Sequence, residues 1–306
     1  MYLGFDTSNY TTSVATYDGF EVKQAKQVLS VKQGEKGLRQ SDAVFQHTVN
    51  MPKLINTIDE YKELKAVGVS TRPRNTWGSY MPCFLVGINT ANAVSRTNNI
   101  PLYETSHQIG HILSALYSSN KLELINAPFL AFHLSGGTTE ALLVKPDDNE
   151  IIKAEIISQS LDLKAGQAID RAGVMLGLQF PCGKELDRLS LLSNAEFKIK
   201  PSMKDFDCSL SGVENKAKML LSQGEKSEDI AKFVLSYIAE TISTMLSRIE
   251  LKYKNMPVVF SGGVSSNSLL QKTIKEKFDA YFPEPEFSLD NAAGCAIYAY
   301  LKDRCL

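Results

Sequence analysis

The chain repeats its own opening. Residues 128–140, Pro-Phe-Leu-Ala-Phe-His-Leu-Ser-Gly-Gly-Thr-Thr-Glu, fall without a gap on residues 1–13 when slid back by 127 positions. Leu3 then meets Leu130, Phe5 meets Phe132, Ser8 meets Ser135, Thr11 meets Thr138 and Thr12 meets Thr139. Each copy is an apolar run suited to a buried strand, a turn rich in small polar residues and a second apolar run, which is a hairpin pattern. Two copies of one unit predict two like domains. The length of 306 residues agrees, since a single core rarely serves more than about 250–300 residues. The tip of the second copy presents backbone N–H groups and hydroxyls. Gly136 and Gly137 let the backbone approach an anion closely, so this tip is a candidate phosphate cradle; an ordinary turn is the alternative.

The formal net charge of −1 spreads no basic field over the whole surface. An RNA partner must therefore meet a local patch or come through another subunit. Five cysteines, at 83, 182, 208, 295 and 305, form no C-x-x-C pair, which fits a reducing compartment. No apolar run approaches the ~18 residues of a membrane span, and no signal-type apolar segment precedes Asp6. The expectation is a cytoplasmic protein without membrane association.

Both halves spell the same element order. In the first, an edge strand of mixed polarity is expected over 20–30, a loop over 32–40 and a helix capped by Ser41. His47 near that helix start reads as solvated or at the core edge. A strand at 65–70 enters the loop Thr71-Arg-Pro-Arg-Asn-Thr-Trp-Gly-Ser79, which holds the chain's one tryptophan. Loops at the carboxyl ends of strands are where open α/β sheets place ligands, so Arg72 and Arg74 are candidate anion contacts, with a solvated loop as the alternative. A helix over 82–96, a strand over 101–104 and a helix capped by Ser106 complete the half. In the second, strands at 129–134, 141–145 and 151–158 precede a broken helical region over 164–218, a long helix capped by Ser227 and a strand at 257–260. That strand enters Ser261-Gly-Gly-Val-Ser-Ser-Asn267 and a helix start, a geometry able to hold a nucleotide against backbone N–H groups. A helix ends the chain after Asp290.

His107 and His111 stand four apart, so both imidazoles face one way on a helix. Such a pair can chelate a metal, with a carboxylate as the usual third ligand. Asp290 is the candidate, although an Asp ahead of a helix is also an ordinary N-cap. Gln108 stands where the zinc peptidases' H-E-x-x-H has its general base, and an amide cannot take a proton from water, which argues against proteolysis. Neither G-x-S-x-G nor a Walker A sequence is present.

Seven stretches, in register over nearly the whole chain, resemble the TsaD family of tRNA threonylcarbamoyladenosine synthases. They are Phe5-Asp-Thr-Ser8, His107-x-x-x-His111, Leu134-Ser-Gly-Gly137, Ala165-Gly-Gln-Ala-Ile-Asp-Arg171, Phe206-Asp-Cys-Ser-Leu-Ser-Gly212, Gly262-Gly-Val-Ser-Ser-Asn267 and Asp290-Asn291. The resemblance implies the duplicated actin-like α/β fold of sugar kinases and heat-shock chaperones, two similar domains with a nucleotide cleft between them. The domains would be 1–125, with the helix of 290–306 packing back on it, and 126–289. It implies one divalent metal, iron or zinc, on His107, His111 and Asp290. It implies that His133, Leu134, Ser135, Gly136, Gly137, Asp170, Gly183 and Asn267 bind ATP, AMP or threonylcarbamoyl-AMP. Apart from the resemblance, Ser8, Arg72, Arg74 and Thr138 are candidate contacts to an anion or to the acceptor. The implied reaction moves a threonylcarbamoyl group to N6 of a tRNA adenosine. The implied partners are tRNA and a TsaB-like actin-fold subunit, or a second copy, through the first domain.

The chain departs from the family pattern at Asn9, Tyr10, Arg72-Pro-Arg-Asn75, Thr138, Gln167 and Cys182. Several of these change charge or proton chemistry. The expectation is a divergent TsaD-like paralogue; a non-tRNA acceptor, or a non-catalytic nucleotide-binding partner of a true transferase, are the alternatives.

Overall fold

The computed structural model describes residues 1–8, 10–31, 38–58 and 63–304. The loop expected over 32–40 falls largely outside the described residues, as does Asn9. The chain divides into unit 1, Met1–Asn126 with Lys145–Ala154 and Leu289–Leu306, and unit 2, Ala127–Val144 with Glu155–Ser288.

The first sheet begins with an antiparallel meander of β1 (Tyr2–Asp6), β2 (Thr11–Tyr17) and β3 (Val22–Val28). Helix α1 (Gln40–Ile55) leads to β4 (Ala66–Arg72), α2 (Phe84–Asn98), β5 (Leu102–Ser106) and α3 (His107–Ser118). β4 lies parallel to β1 and β5 parallel to β4, giving the order β3-β2-β1-β4-β5. The mixed polarity of β3 follows from its place at the sheet edge, where one flank and one face meet water.

The second sheet starts with β6 (Phe129–Leu134), β7 (Thr139–Asp147) and β8 (Ile151–Gln159), followed by α4 (Ala165–Met175) and α5 (Gly183–Ser190). A small hairpin of β9 (Ser202–Lys204) and β10 (Asp207–Ser209) precedes α6 (Ser211–Ser222) and the long α7 (Ser227–Lys252). Then come β11 (Val258–Ser261), α8 (Ser268–Lys275), β12 (Ala280–Tyr281), α9 (Pro285–Ser288) and α10 (Ala293–Arg304). The order is β12-β11-β6-β7-β8. Counted by order of appearance, both sheets read third, second, first, fourth, fifth.

The duplication extends to the register. Phe5 faces Val14 and Asp6 faces Ser13 in one hairpin; Phe132 faces Ala141 and His133 faces Glu140 in the other. Asp6 and His133 therefore hold the same position in their two sheets. Side chains of one face go to one core because strand residues alternate. Leu3, Phe5 and Val14 meet Met51 and Leu54 of α1 and Ala91 of α2 in unit 1. In unit 2, α7 contributes Ile230, Val234, Ile238, Ile242, Met245 and Ile249 to a core shared with Leu130, Phe132 and Phe260. Burying each such side chain stabilises the fold by roughly 1.5–3 kcal/mol.

On the other face of the first sheet, α10 lies against bare backbone. A Cβ on Gly4 would overlap the Ala292 carbonyl oxygen, and one on Gly68 would overlap that of Cys295. A Cβ on Gly294 would overlap the Gly110 carbonyl of α3. These glycines bring β1, β4, α3 and α10 to backbone contact.

Three local expectations are corrected. Helix α1 starts at Gln40 with Arg39 at its cap, so Ser41 lies inside the helix. Ser227 is likewise the first helical residue of α7, with Lys226 at the cap. The region expected to be broken helix contains the β9–β10 hairpin, whose three-residue strands are too short to show a period. Among the described residues, no helix is long and apolar enough to cross a membrane.

Candidate functional site

The histidine pair is placed by the start of α3. Ser106 caps that helix, its Oγ accepting from Ile109 N at 3.3 Å, and Gln108 N donates to Pro73 O at 3.0 Å. One helical turn puts the His107 and His111 rings 4.3 Å apart. Asp290 arrives just ahead of α10. It does not cap that helix: Asn291 Oδ1 accepts from Ala293 N at 3.1 Å instead. The Asp290 carboxylate turns to the histidines, Oδ1 lying 3.1 Å from His111 Nε2 and 3.5 Å from His107 Nε2.

The three ligand atoms all lie within 4.8 Å of one another. Donors held at about 2.1 Å around a tetrahedral zinc-type ion would be about 3.4 Å apart, so the spacing fits one ion. His107 Nδ1, the nitrogen turned away from this triangle, lies 2.8 Å from Asp6 Oδ2. Such a carboxylate fixes the ring and its tautomer. His111 and Asp6 are buried, whereas 19% of the His107 side chain and 26% of the Asp290 side chain meet solvent. The group is closed behind and open in front.

The electrostatics favour a cation. Burial opposes charge on every member, yet the Asp6 and Asp290 carboxylates outweigh it at His107 and raise its pKa. Burial and the neighbouring His107 lower that of His111, which favours its neutral imidazole. Burial opposes ionisation of Asp290 too, but hydrogen bonds from both histidines hold its carboxyl well below the usual range. Asp6 behaves likewise under His107 and hydrogen bonds from Ser8. Two ionised carboxylates around two imidazoles favour a cation, as a proton on His107 or as a metal ion.

In unit 2 the Ser135–Thr138 turn is closed by Ser135 N donating to Thr138 O at 2.8 Å, and Gly137 N donates to Ser135 Oγ at 3.3 Å. Gly136 and Gly137 are exposed, and a Cβ on either would meet nothing. The first turn of α4 sits on this hairpin: Gly166 N donates to Ser135 O at 3.2 Å, and a Cβ on Gly166 would lie 2.7 Å from Gly136 Cα. Leu134 is fully buried and His133 is 7% exposed, with its Nδ1 3.0 Å from Ser261 Oγ. Asp170 Oδ1 accepts from Cys182 N at 2.8 Å, and burial pushes its carboxyl up. Gly183 opens α5 beside it, with free space around its Cα. The Asn267 side chain is occupied: it donates to Asp187 Oδ1 at 2.8 Å and accepts from Leu270 N at 2.9 Å as the cap of α8.

The other expected contacts vary. Ser8 is buried beside the metal-type group, its N donating to Asp6 Oδ1 at 2.7 Å. Arg72 is held inside its own loop, donating to Asn75 Oδ1 and Thr71 Oγ1 at 2.9 Å and lying 3.7 Å from Glu150. Arg74 is half-buried and its N donates to Ser79 Oγ. Gln167 Oε1 accepts from Lys164 N at 3.3 Å at the head of α4. Cys182 is buried over Gly173, and burial pushes its thiol up to about 11. His47 is fully buried rather than solvated, with Nδ1 2.8 Å from Thr12 Oγ1.

Sequence reasoning missed Asp6 as a member of the site. The available signal was a carboxylate ending an otherwise apolar strand, since a buried acid needs a partner.

The fold and the site set the context for likeness to known proteins. The TsaD family model, tRNA N6-adenosine threonylcarbamoyltransferase, matches residues 26–297. A protein of that name from Dictyoglomus turgidum is 30% identical over 255 residues, 79% of this chain and 72% of its own. Component A of the (R)-2-hydroxyglutaryl-CoA dehydratase of Acidaminococcus fermentans superposes with a TM-score of 0.60 at 16% identity, covering 99% of this chain and 98% of that one. A ROK family glucokinase from Streptomyces griseus gives a TM-score of 0.53 at 10% identity, covering 98% of this chain and 99% of that one. These two likenesses are of fold alone. With both sheets wound in one order, they make the architecture the duplicated actin-like α/β fold. The chain belongs to the TsaD family.

Proposed function

We propose that the protein is a metal-dependent threonylcarbamoyl-type transferase whose acceptor is N6 of an adenosine in tRNA. The observation that carries this reading is the convergence of His107 Nε2, His111 Nε2 and Asp290 Oδ1, with Asp6 holding the far nitrogen of His107. A proteolytic role lacks its base, because Gln108 offers an amide.

His107, His111 and Asp290 would hold one divalent ion, iron or zinc. When bound, such an ion supplies a Lewis acid able to grip a carboxylate or polarise a carbonyl. The chain's own groups do the rest. Asp6 fixes the His107 ring so that only Nε2 faces the opening. In unit 2 the turn from Leu134 to Gly137, open at Gly136 and Gly137, would let the phosphate of a threonylcarbamoyl-AMP come close to the backbone, stabilising AMP as it leaves. The carboxyl of Asp170 and the open start of α5 at Gly183 complete that subsite. Gln167, tied to the head of α4, contributes position and no proton. The expected partners are tRNA and a TsaB-like actin-fold subunit, or a second copy, meeting unit 1.

The test is complementation of a strain lacking its own TsaD, with threonylcarbamoyladenosine measured in its tRNA. The modification should return with the wild-type chain and fail with His111→Ala. Folded, metal-loaded protein with cognate partners that leaves tRNA unmodified would sink the reading.

A further inference from the structure

The loop after β4 carries the chain's one tryptophan on a built pedestal. Ser79 N donates to Thr76 O at 3.1 Å, and Gly78 has φ +76°, so residues 76–79 form a tight turn of type II with Trp77 at its corner. The turn is anchored from behind: Arg74 N donates to Ser79 Oγ, Arg72 Nε donates to Asn75 Oδ1, and Pro73 O accepts from Gln108 N of α3. Trp77 is nonetheless fully exposed, and Tyr80 is 62% exposed three residues on. A held loop that presents its largest apolar ring wholly to water is shaped for something that covers the ring.

Its place says where. Arg72 of β4 lies opposite Ser106 of β5, the residue just before His107. Pro73 is bonded to the next residue along, Gln108, so Trp77 stands four residues, at most about 14 Å of extended chain, from the turn of α3 that carries the metal-type group. Its flanks, Asn75, Thr76 and Gly78, are exposed and polar or small. A protein hot spot needs a surrounding ring of contacts that excludes water, and these flanks offer none. A nucleobase needs a flat face on which to stack, and Trp77 presents one.

We infer that Trp77 is a stacking platform for an unpaired base of a single-stranded RNA acceptor. This rests on the proposed transferase reading and adds the residue that would hold the acceptor beside His107 and His111. It also gives a local nucleic-acid contact to a chain with no overall basic field.

Because the chain has one tryptophan, its emission reports on this ring alone. The full chain is titrated with an RNA stem-loop whose loop exposes adenosines, following tryptophan emission and the anisotropy of labelled RNA together. Quenching should saturate with the anisotropy. Trp77→Ala should weaken RNA binding roughly ten-fold or more, and Trp77→Phe should recover most of it. Melting curves should stay unchanged, as the ring packs on nothing. The inference is overturned by RNA binding without quenching, by no RNA binding, by equal affinity of Trp77→Ala, or by equal quenching with AMP alone. Quenching by a TsaB-like subunit without RNA also overturns it and assigns the ring to a protein interface. The transferase reading fails separately: quenching without modified tRNA sinks that reading and leaves the stacking, while modified tRNA without quenching does the reverse.

Discussion

Asp6 Oδ2 and His107 Nδ1 lie 2.8 Å apart although 101 positions separate them in the chain. This contact gives the histidine pair its direction, because it commits one nitrogen of His107 and leaves the other facing Asp290. Asp6→Asn keeps an oxygen for the Ser8 N–H that now donates to Asp6 Oδ1 at 2.7 Å but removes the charge behind His107. Metal affinity should drop by roughly 10–100-fold with the fold intact. Metal content after dialysis against graded chelator checks this, and unchanged affinity would remove Asp6 from the site.

Gly294→Ala should couple stability to metal retention. The new methyl overlaps the Gly110 carbonyl and must separate α10 from α3. Overpacking of this kind costs about 1–3 kcal/mol, and the separation carries Asp290 away from His111. A urea midpoint and a metal assay on one preparation should fall together. A variant as stable as the wild type with full metal content would show that the two helices have slack.

His47 predicts a pH dependence of stability. Burial lowers its pKa from an ordinary 6.5 to about 4 in the folded chain. Between those values the unfolded chain binds a proton that the folded chain refuses. Stability is therefore complete above pH 6.5 and declines as pH falls toward 4, by up to roughly 3 kcal/mol. Urea midpoints of the wild type and His47→Gln across that window isolate the effect. The wild type should show the steeper loss on acidification, and parallel curves would refute it.

Gly137→Ala tests the hairpin tip of unit 2 without disturbing the core. The added methyl meets nothing, so the melting temperature should hold. A backbone that must approach a phosphate closely would be kept away by that methyl, and affinity for adenine nucleotides should fall roughly ten-fold. Unchanged affinity, measured by calorimetry, would place the phosphate elsewhere.

The sequence displayed most of the architecture because the duplication is written in side chains that must be buried. Leu3 and Phe5, like Leu130 and Phe132, face inward in hairpins of identical register. The histidine pair was legible from helical spacing, and Ser106 from its cap chemistry. The expected helix starts were displaced by two residues at Ser41 and by one at Ser227 because a serine there resembles a cap until the backbone is seen. The β9–β10 hairpin was hidden by strand length. Asp6 was hidden for another reason: its partner lies across two elements, and no local pattern announces a contact that only the sheet creates. Asn267, expected to touch a nucleotide, spends both ends of its amide on Asp187 and Leu270, a use that its motif could not reveal.

Asp290 lies 179 positions beyond His111, and the glycine contacts of α10 hold that stretch in place. During synthesis, then, the two histidines and Asp6 leave the ribosome long before their third ligand exists. Until α10 has docked, the cation is offered two imidazoles and a carboxylate set back behind one of them. On the proposed reading, metal loading would then be a late event that follows translation of both sheets. A chain cut short anywhere between α3 and α10 should emerge without Asp290, and with it without the means to hold the proposed metal.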